Sequence, residues 1–481
     1  MKGYKIIFTL LLVGFMLTSC EDFLDPNPTP DAAISGVDFP TDEAELELVL
    51  NGVYDAVKGQ NGLADTDRNL NHGIQREFYV TEMLTDNTQS ANGESGEASQ
   101  FDFFQVVATN GFVFDNYRSS YSTIFRANLT IENLGVATEE NRPRIEAEAR
   151  FLRAMTYFNL VRLYGDVPLV LEVIFPEDQD VAFTRVAASE IYDVIIDDFR
   201  FAIDNLTNTD NRYRASIPAA QGLLAKVYLT LGNYSEAQDL LETIINSQQF
   251  SLEPDFHDVW FLEDNNETIF SIGYVPDDAF NSQDFSAEMR GGNIAASSGQ
   301  NYVTDDMVVT MNLFGGNRTP LSMRIDPLTP SRTQVVKYLP DGDEDLGIAP
   351  TGTIARLGGN DWIVLRYADV LLLHAESILA GELLTPASNA IDSYQQVRER
   401  AGFTDTTNEL TRDDLLLERR VELAFENHRG FDLRRFGVAQ DVLSTFSASI
   451  GGAFTATDLL LPLPQFEINI SGGLLEQNPG Y

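Results

Sequence analysis

From about Thr41 onward, apolar positions recur at helical spacing, with polar and acidic residues between them. Thr41 with Glu43-Ala44-Glu45 predicts an N-cap and an acidic first turn, leading into Leu46-x-Leu48-Val49-Leu50 and Val53-Tyr54. Residues 144–164 predict one long amphipathic helix, stopped by Gly165-Asp166-Val167-Pro168. Further helices are predicted over 189–206 and 218–246. In the last of these, Leu224-Ala225-x-x-Tyr228 is followed by Gly232, Tyr234, Ala237 and Leu241. That spacing is the tetratricopeptide pattern, in which small residues let paired helices approach and large ones fill the groove. Gly232-Asn233-Tyr234 supplies the tight turn. Ala375-x-x-Ile378 with Ala390 and Tyr394 repeats the scheme with a turn about three residues longer, and Arg153-Ala154-x-x-Tyr157 is a third match. The expected fold is mainly α: tetratricopeptide-like helical hairpins forming a solenoid.

Two stretches break the pattern. Over about 251–360 Gly, Asp, Asn and Pro increase and the helical period fades; residues 85–117 are similarly polar, with aromatics interspersed. Trp362 is expected to begin a core helix. Irregular segments on a rigid helical scaffold are where binding surfaces tend to be built. With no linker-like segment, residues 41–481 are expected to form one domain carrying the 251–360 stretch as a loop-rich insert.

The N-terminus adds a destination. A basic start, Met1 to Lys5, precedes the apolar run Ile6–Leu17, too short for a membrane span of about 20 residues but suited to a secretory leader. The run ends at Leu17-Thr18-Ser19-Cys20, which looks like a bacterial lipobox, and Cys20 is the only cysteine. Residues 1–19 are expected to be a lipoprotein signal peptide and 20–40 a lipidated tether. The acidic stretch Glu21-Asp22-Phe23-Leu24-Asp25 resembles the surface-export signal of Bacteroidetes lipoproteins. No second apolar segment approaches spanning length.

Charge and composition remove several classes of function. Lys and Arg number 32 against 73 Asp and Glu, a formal net charge of −41, which argues against nucleic acid and against electrostatic docking on anionic lipid. One cysteine rules out a disulfide framework or a Cys-based zinc site. The four histidines, His72, His257, His374 and His428, are too scattered for a sequence-local metal pair, and no G-x-S-x-G, P-loop or dinucleotide glycine motif occurs. Asp341-x-Asp343-x-Asp345 alternates like a calcium loop, but Leu346 and Gly352 stand where the loop needs Gly and Glu. A solvated acidic loop is the better reading, an irregular structural calcium site the alternative; no other cofactor is expected.

Several ordered blocks resemble the SusD/RagB family of Bacteroidetes surface lipoproteins. They are Arg150 to Phe158 with Leu163 to Val170; Trp362 to Glu376 (WIVLRYADVLLLHAE); Glu418 to Gly437, including His428-Arg429-Gly430-Phe431-Asp432-Leu433-Arg434-Arg435; and the ending Leu461-Pro462-Leu463-Pro464 with Gln477-Asn478-Pro479-Gly480-Tyr481. The resemblance implies a non-catalytic, outer-membrane, cell-surface lipoprotein that captures oligo- or polysaccharide. It would pass this cargo to a SusC-like TonB-dependent transporter, on which it sits as a lid. A peptide cargo, a surface glycoside hydrolase and a scaffold that binds only protein are the alternatives.

The arginines of the blocks (Arg366, Arg419, Arg420, Arg434, Arg435) lie near Asp369, Glu376, Glu422 and Asp432, and are expected to form buried ion pairs that hold helices in register. Trp260 and Trp362 are expected to pack rather than to stack on ligand. In relatives the ligand surface draws on the loops after the first helices and on the middle insert. The candidates there are Asn87, Asn92 and Phe101, then Tyr274, Arg290, Asn293 and Tyr302. Sugar binding needs aromatic faces against the apolar face of a pyranose and polar side chains on its hydroxyls.

Overall fold

A computed structural model describes residues 39–62, 71–91, 96–175, 178–209, 211–289, 300–340 and 342–481. Among them, the helices of ten or more residues are α1 (Glu43–Lys58), α2 (Gly111–Glu132), α3 (Arg142–Tyr164), α4 (Ala188–Asn205), α5 (Ile217–Leu231), α6 (Tyr234–Ser247), α7 (Asp305–Phe314), α8 (Tyr367–Leu379), α9 (Ser388–Arg400), α10 (Arg412–Glu422) and α11 (Ala439–Ile450). From α1 to α6 each helix packs on the one before it; α8 then packs on α6, and α9 and α10 on α8. This is the predicted solenoid. The chain leaves it after α6, builds the insert, and re-enters beside the helix it left.

The hairpin signals hold at atomic level. Ala225 and Ala237 are fully buried where α5 meets α6, with Leu224, Tyr228 and Leu241 beside them. Gly232 ends α5 at φ 77°, a left-handed conformation that a side chain would resist. The start of α1 differs from expectation. Asp42 is the N-cap, accepting from the Glu45 N–H, while Thr41 donates through N–H and hydroxyl to the Glu45 carboxylate. Within 85–117, Asn110 accepts from the Phe112 and Val113 N–H groups and starts α2 at Gly111, so the irregular stretch ends earlier than its composition suggested.

The insert contains short strands. Thr268–Ile272 (β1) pairs antiparallel with Trp362–Arg366 (β2), joining the beginning of the insert to its end. Trp362 therefore begins a strand, and the helix starts only at Tyr367. The aromatic and β-branched run Trp362-Ile363-Val364 suits a sheet, and helical spacing takes over after the strand. The strand lies so close to α5 that a Cβ on Gly222 would stand 2.3 Å from Leu365 Cδ2.

A buried ionic network fastens the insert to α10. Glu422 accepts from Arg318 (2.7 Å) and Arg366 (2.5 Å) and also pairs with Arg400. Arg318 reaches Glu418 at 2.6 Å, Lys337 reaches Glu426 at 2.7 Å, and Arg366 reaches Glu267 at 2.7 Å. Arg419 joins Asp369 (3.0 Å) to Asp432 (2.9 Å), and Arg435 joins Asp432 to Glu376. Of these, the pairs of Arg366 with Glu422, Arg419 with Asp369 and Asp432, and Arg435 with Asp432 and Glu376 are the kind the blocks implied. Arg420 instead reaches Asp86 and Asp306, and Arg434 donates to the Arg162 carbonyl. Asp343 pairs with Arg324 and accepts from the N–H groups of Asp345 and Leu346, so it belongs to a folded turn. Asp341 lies outside the described residues.

Candidate functional site

The two irregular stretches meet. Thr88–Ser90 pairs antiparallel with Asn301–Val303, and the Thr304 N–H donates to the Asn87 carbonyl at 3.0 Å. Beside this junction a cleft of about 280 Å³ opens between residues 75, 76, 78, 79, 96–98 and 112 on one side and Asp284, Glu288 and Gln300 on the other.

Aromatic rings form part of its wall. Tyr79 and Phe112 are stacked, with centroids 3.8 Å apart and planes 18° from parallel. Phe112 stands in the first turn of α2, where the Asn110 cap fixes the backbone, and its ring is half-buried. The Arg76 guanidinium lies 6.0 Å from the Phe112 centroid and 3.9 Å from the Asp284 carboxylate, which Arg356 also approaches at 3.2 Å. Gln75 ties the two sides together: its Nε2 donates to the Gly59 carbonyl and its Oε1 accepts from the Asp284 N–H. Burial pushes the Tyr79 hydroxyl well above its ordinary pKa, so it stays protonated as a donor. An apolar ring flanked by fixed donors and acceptors can stack on one face of a polar ligand and orient its hydroxyls.

The residues singled out from sequence fall into two groups. Asn87, Phe101, Tyr274 and Tyr302 are buried and take part in the scaffold. Asn87 donates to Glu82 and accepts from Arg420; Phe101 tilts against Phe112 from within the core. Tyr274 donates its hydroxyl to the Lys58 carbonyl, and Tyr302 lies under the Arg332 guanidinium, 4.6 Å from its ring centroid. Asn92, Arg290, Asn293 and Cys20 lie outside the described residues. Gly96 and Gln300, near the ends of the segments holding the first three, line the cleft. Sequence reasoning passed over Arg76, Tyr79, Phe112 and Asp284. Asn110-Gly111 before an apolar run was a signal for the start of a helix, and hence for the placement of Phe112.

A second cavity, of about 120 Å³, lies between α3, α5 and the Arg429–Arg435 helix. Its charged wall residues are largely paired with one another or with neighbours, as Lys226 is with Asp369 at 2.6 Å. Among the described residues, no group of three or more His, Cys, Asp or Glu could hold a metal ion, and no helix is long and apolar enough to cross a membrane.

Comparison with known proteins places this architecture. A profile of the SusD family matches residues 346–481, and one described as starch-binding associating with outer membrane matches 22–229. The chain belongs to the SusD family. Among SusD-like relatives, protein P2 of Formosa agariphila is 28% identical over all of both chains, and a SusD-like protein of Bacteroides ovatus is 25% identical over 69% of this chain and 67% of its own. Two solved structures share the fold. A laminarin-binding SusD-like protein has TM-score 0.75 at 22% identity, covering 92% of this chain and 100% of its own. Surface glycan-binding protein A of Bacteroides thetaiotaomicron, in complex with laminarihexaose, has TM-score 0.74 at 21% identity, covering 91% and 99%. At these identities the likeness establishes the SusD-type helical fold.

Proposed function

We propose that this SusD-family protein is a non-catalytic, cell-surface glycan-binding lipoprotein, held to the outer membrane through Cys20, that hands its cargo to a SusC-like TonB-dependent transporter. The observation carrying the reading is the Tyr79–Phe112 wall of the first cleft, set between Arg76, Asp284 and Gln75 on an ion-paired, rigid frame. Stacking plus oriented hydrogen bonds is what a neutral saccharide requires, and a preformed cleft lowers the ordering cost of binding. Relatives of this fold named for laminarin and laminarihexaose support the same class of cargo. Asn92, Arg290 and Asn293, close in sequence to Gly96, Glu288 and Gln300 of the cleft, remain proposed ligand contacts. Asn87, Phe101, Tyr274 and Tyr302 are proposed to act from the interior, by holding the walls. Binding of a glycan panel, with reducing ends measured in the same samples, tests the reading.

A further inference from the structure

On the far side of the insert lies a cleft of about 200 Å³ that the proposed function does not use. It lies behind the short helix Phe285–Met289: Glu288 lines the first cleft, while Ser286 donates to Asn360, which lines the second. Three polar atoms of its wall residues, Trp260 Nε1, Thr268 Oγ1 and Ser271 Oγ, are buried and make no hydrogen bond within the protein. Thr268 and Ser271 are only 6% and 1% exposed. A buried polar atom left without a partner is destabilising, and native interiors seldom keep several together.

The Trp260 ring itself is committed to packing. It stands edge-on to Tyr338, and the buried ammonium of Lys337 lies 4.8 Å from its centroid. What it offers is its N–H. An exposed aromatic ring stands beside the cleft: Tyr213 is 39% exposed. Its hydroxyl donates to Asp361, a wall residue of the cleft, at 2.9 Å, and its ring lies so near Gly273 that a Cβ there would be 2.9 Å away. Its neighbour Arg212 lines the cleft.

Charge selects the ligand. An anion would face Glu263 and Asp361, and a cation would face Arg212 and Lys337. A neutral molecule rich in hydroxyls, able both to accept from the indole and to exchange hydrogen bonds with Thr268 and Ser271, meets neither penalty. The cleft is smaller than the first, about 200 against 280 Å³, and suits one or two sugar rings.

We propose that this cleft, with Tyr213 at its edge and Trp260, Thr268 and Ser271 in its wall, is a second saccharide subsite. The choice of sugar rests on the glycan-binding reading above; the site rests on its own geometry.

The test uses the mature chain. It contains two tryptophans, so two indole N–H resonances report, and Trp362→Phe assigns them. Glucose, galactose, mannose, xylose, fucose and arabinose are titrated at millimolar concentration. The expected result is displacement of the Trp260 signal by at least one of these sugars, with Trp362 unmoved. Tyr213→Ala should then weaken the apparent Kd by at least about tenfold, the equivalent of about 1.4 kcal/mol, and Tyr213→Phe should retain it. No response at Trp260 to any of the six overturns the subsite, whether or not longer glycans bind at the first cleft. A response unchanged by both Tyr213→Ala and Ser271→Ala overturns it too. A Trp260 response in a protein that binds no longer glycan would instead count against the function proposed for the first cleft.

Discussion

Phe112 lies 3.8 Å from Tyr79, centroid to centroid, with one ring buried in the insert–solenoid junction and the other half-exposed in the first turn of α2. The pair converts a helix start into a stacking wall, and the partner below keeps the outer ring from turning away. Phe112→Ala should therefore weaken glycan binding by about tenfold or more, equivalent to about 1.4 kcal/mol. Phe112→Tyr should keep most of it. Calorimetric titration of the three proteins measures this, and an unchanged Kd in the alanine variant would remove Phe112 from the site.

Glu422 lies among Arg318, Arg366 and Arg400 with its carboxylate fully buried. Those guanidinium groups hold it ionised, well below the usual carboxylate pKa despite the cost of burial. Removing one member of such a group leaves the others unpaired in a dry environment, at about 3–5 kcal/mol. Glu422→Ala should lower the urea midpoint sharply, and should loosen the insert before the helices of the solenoid. Hydrogen exchange resolves the order: early exchange in α3 rather than in residues 262–272 would contradict this account.

The close approach of α5 to β2 makes a different prediction. Gly222→Ala places a methyl against Leu365 Cδ2, and overpacking of this kind costs about 1–3 kcal/mol. Leu365→Ala makes room, so the double variant should be less destabilised than the sum of the two singles. Strict additivity in thermal unfolding would mean the contact does not matter.

Glu77 gives a signed pH dependence. Burial, opposed only in part by Arg162, raises its folded pKa from 4.5 to about 7, while Asn159 donates to the carboxyl at 2.8 Å. A group raised on folding stabilises the protein below its unfolded pKa, and that contribution is lost as pH climbs through the folded value. Relative to Glu77→Gln, the native protein should lose stability between about pH 4.5 and 7, by up to about 3 kcal/mol at 1.36 kcal/mol per pH unit. Parallel pH profiles for the two proteins would contradict it.

Much of the scaffold was legible in the sequence because its causes are local. Small residues at Ala225 and Ala237, a glycine in a left-handed turn at Gly232 and apolar faces at helical spacing act within a few residues of one another. The Arg–carboxylate pairs were legible as a class, since charges inside apolar helical blocks need partners; which ones pair depends on long-range placement, as Arg318 and Glu422 show. Trp362 misled because a five-residue strand running straight into α8 leaves too little alternation to distinguish it from a helix. The site was legible as two regions and not as residues. Composition marked the stretches that pair at Thr88–Ser90 and Asn301–Val303, but polar and aromatic side chains such as Asn87 and Phe101 turned inward, where tertiary contacts claimed them. Arg76 and Asp284 become neighbours only when the insert folds back on the chain after α1.

The most direct measurement is binding of mature wild-type protein and Phe112→Ala to a panel of glycans and mixed peptides, with reducing ends followed throughout. The account predicts retention of one glycan class by the wild type, no release of reducing ends, and loss of retention in the variant. Release of sugar ends, binding of peptide alone, or equal retention by both proteins would contradict it.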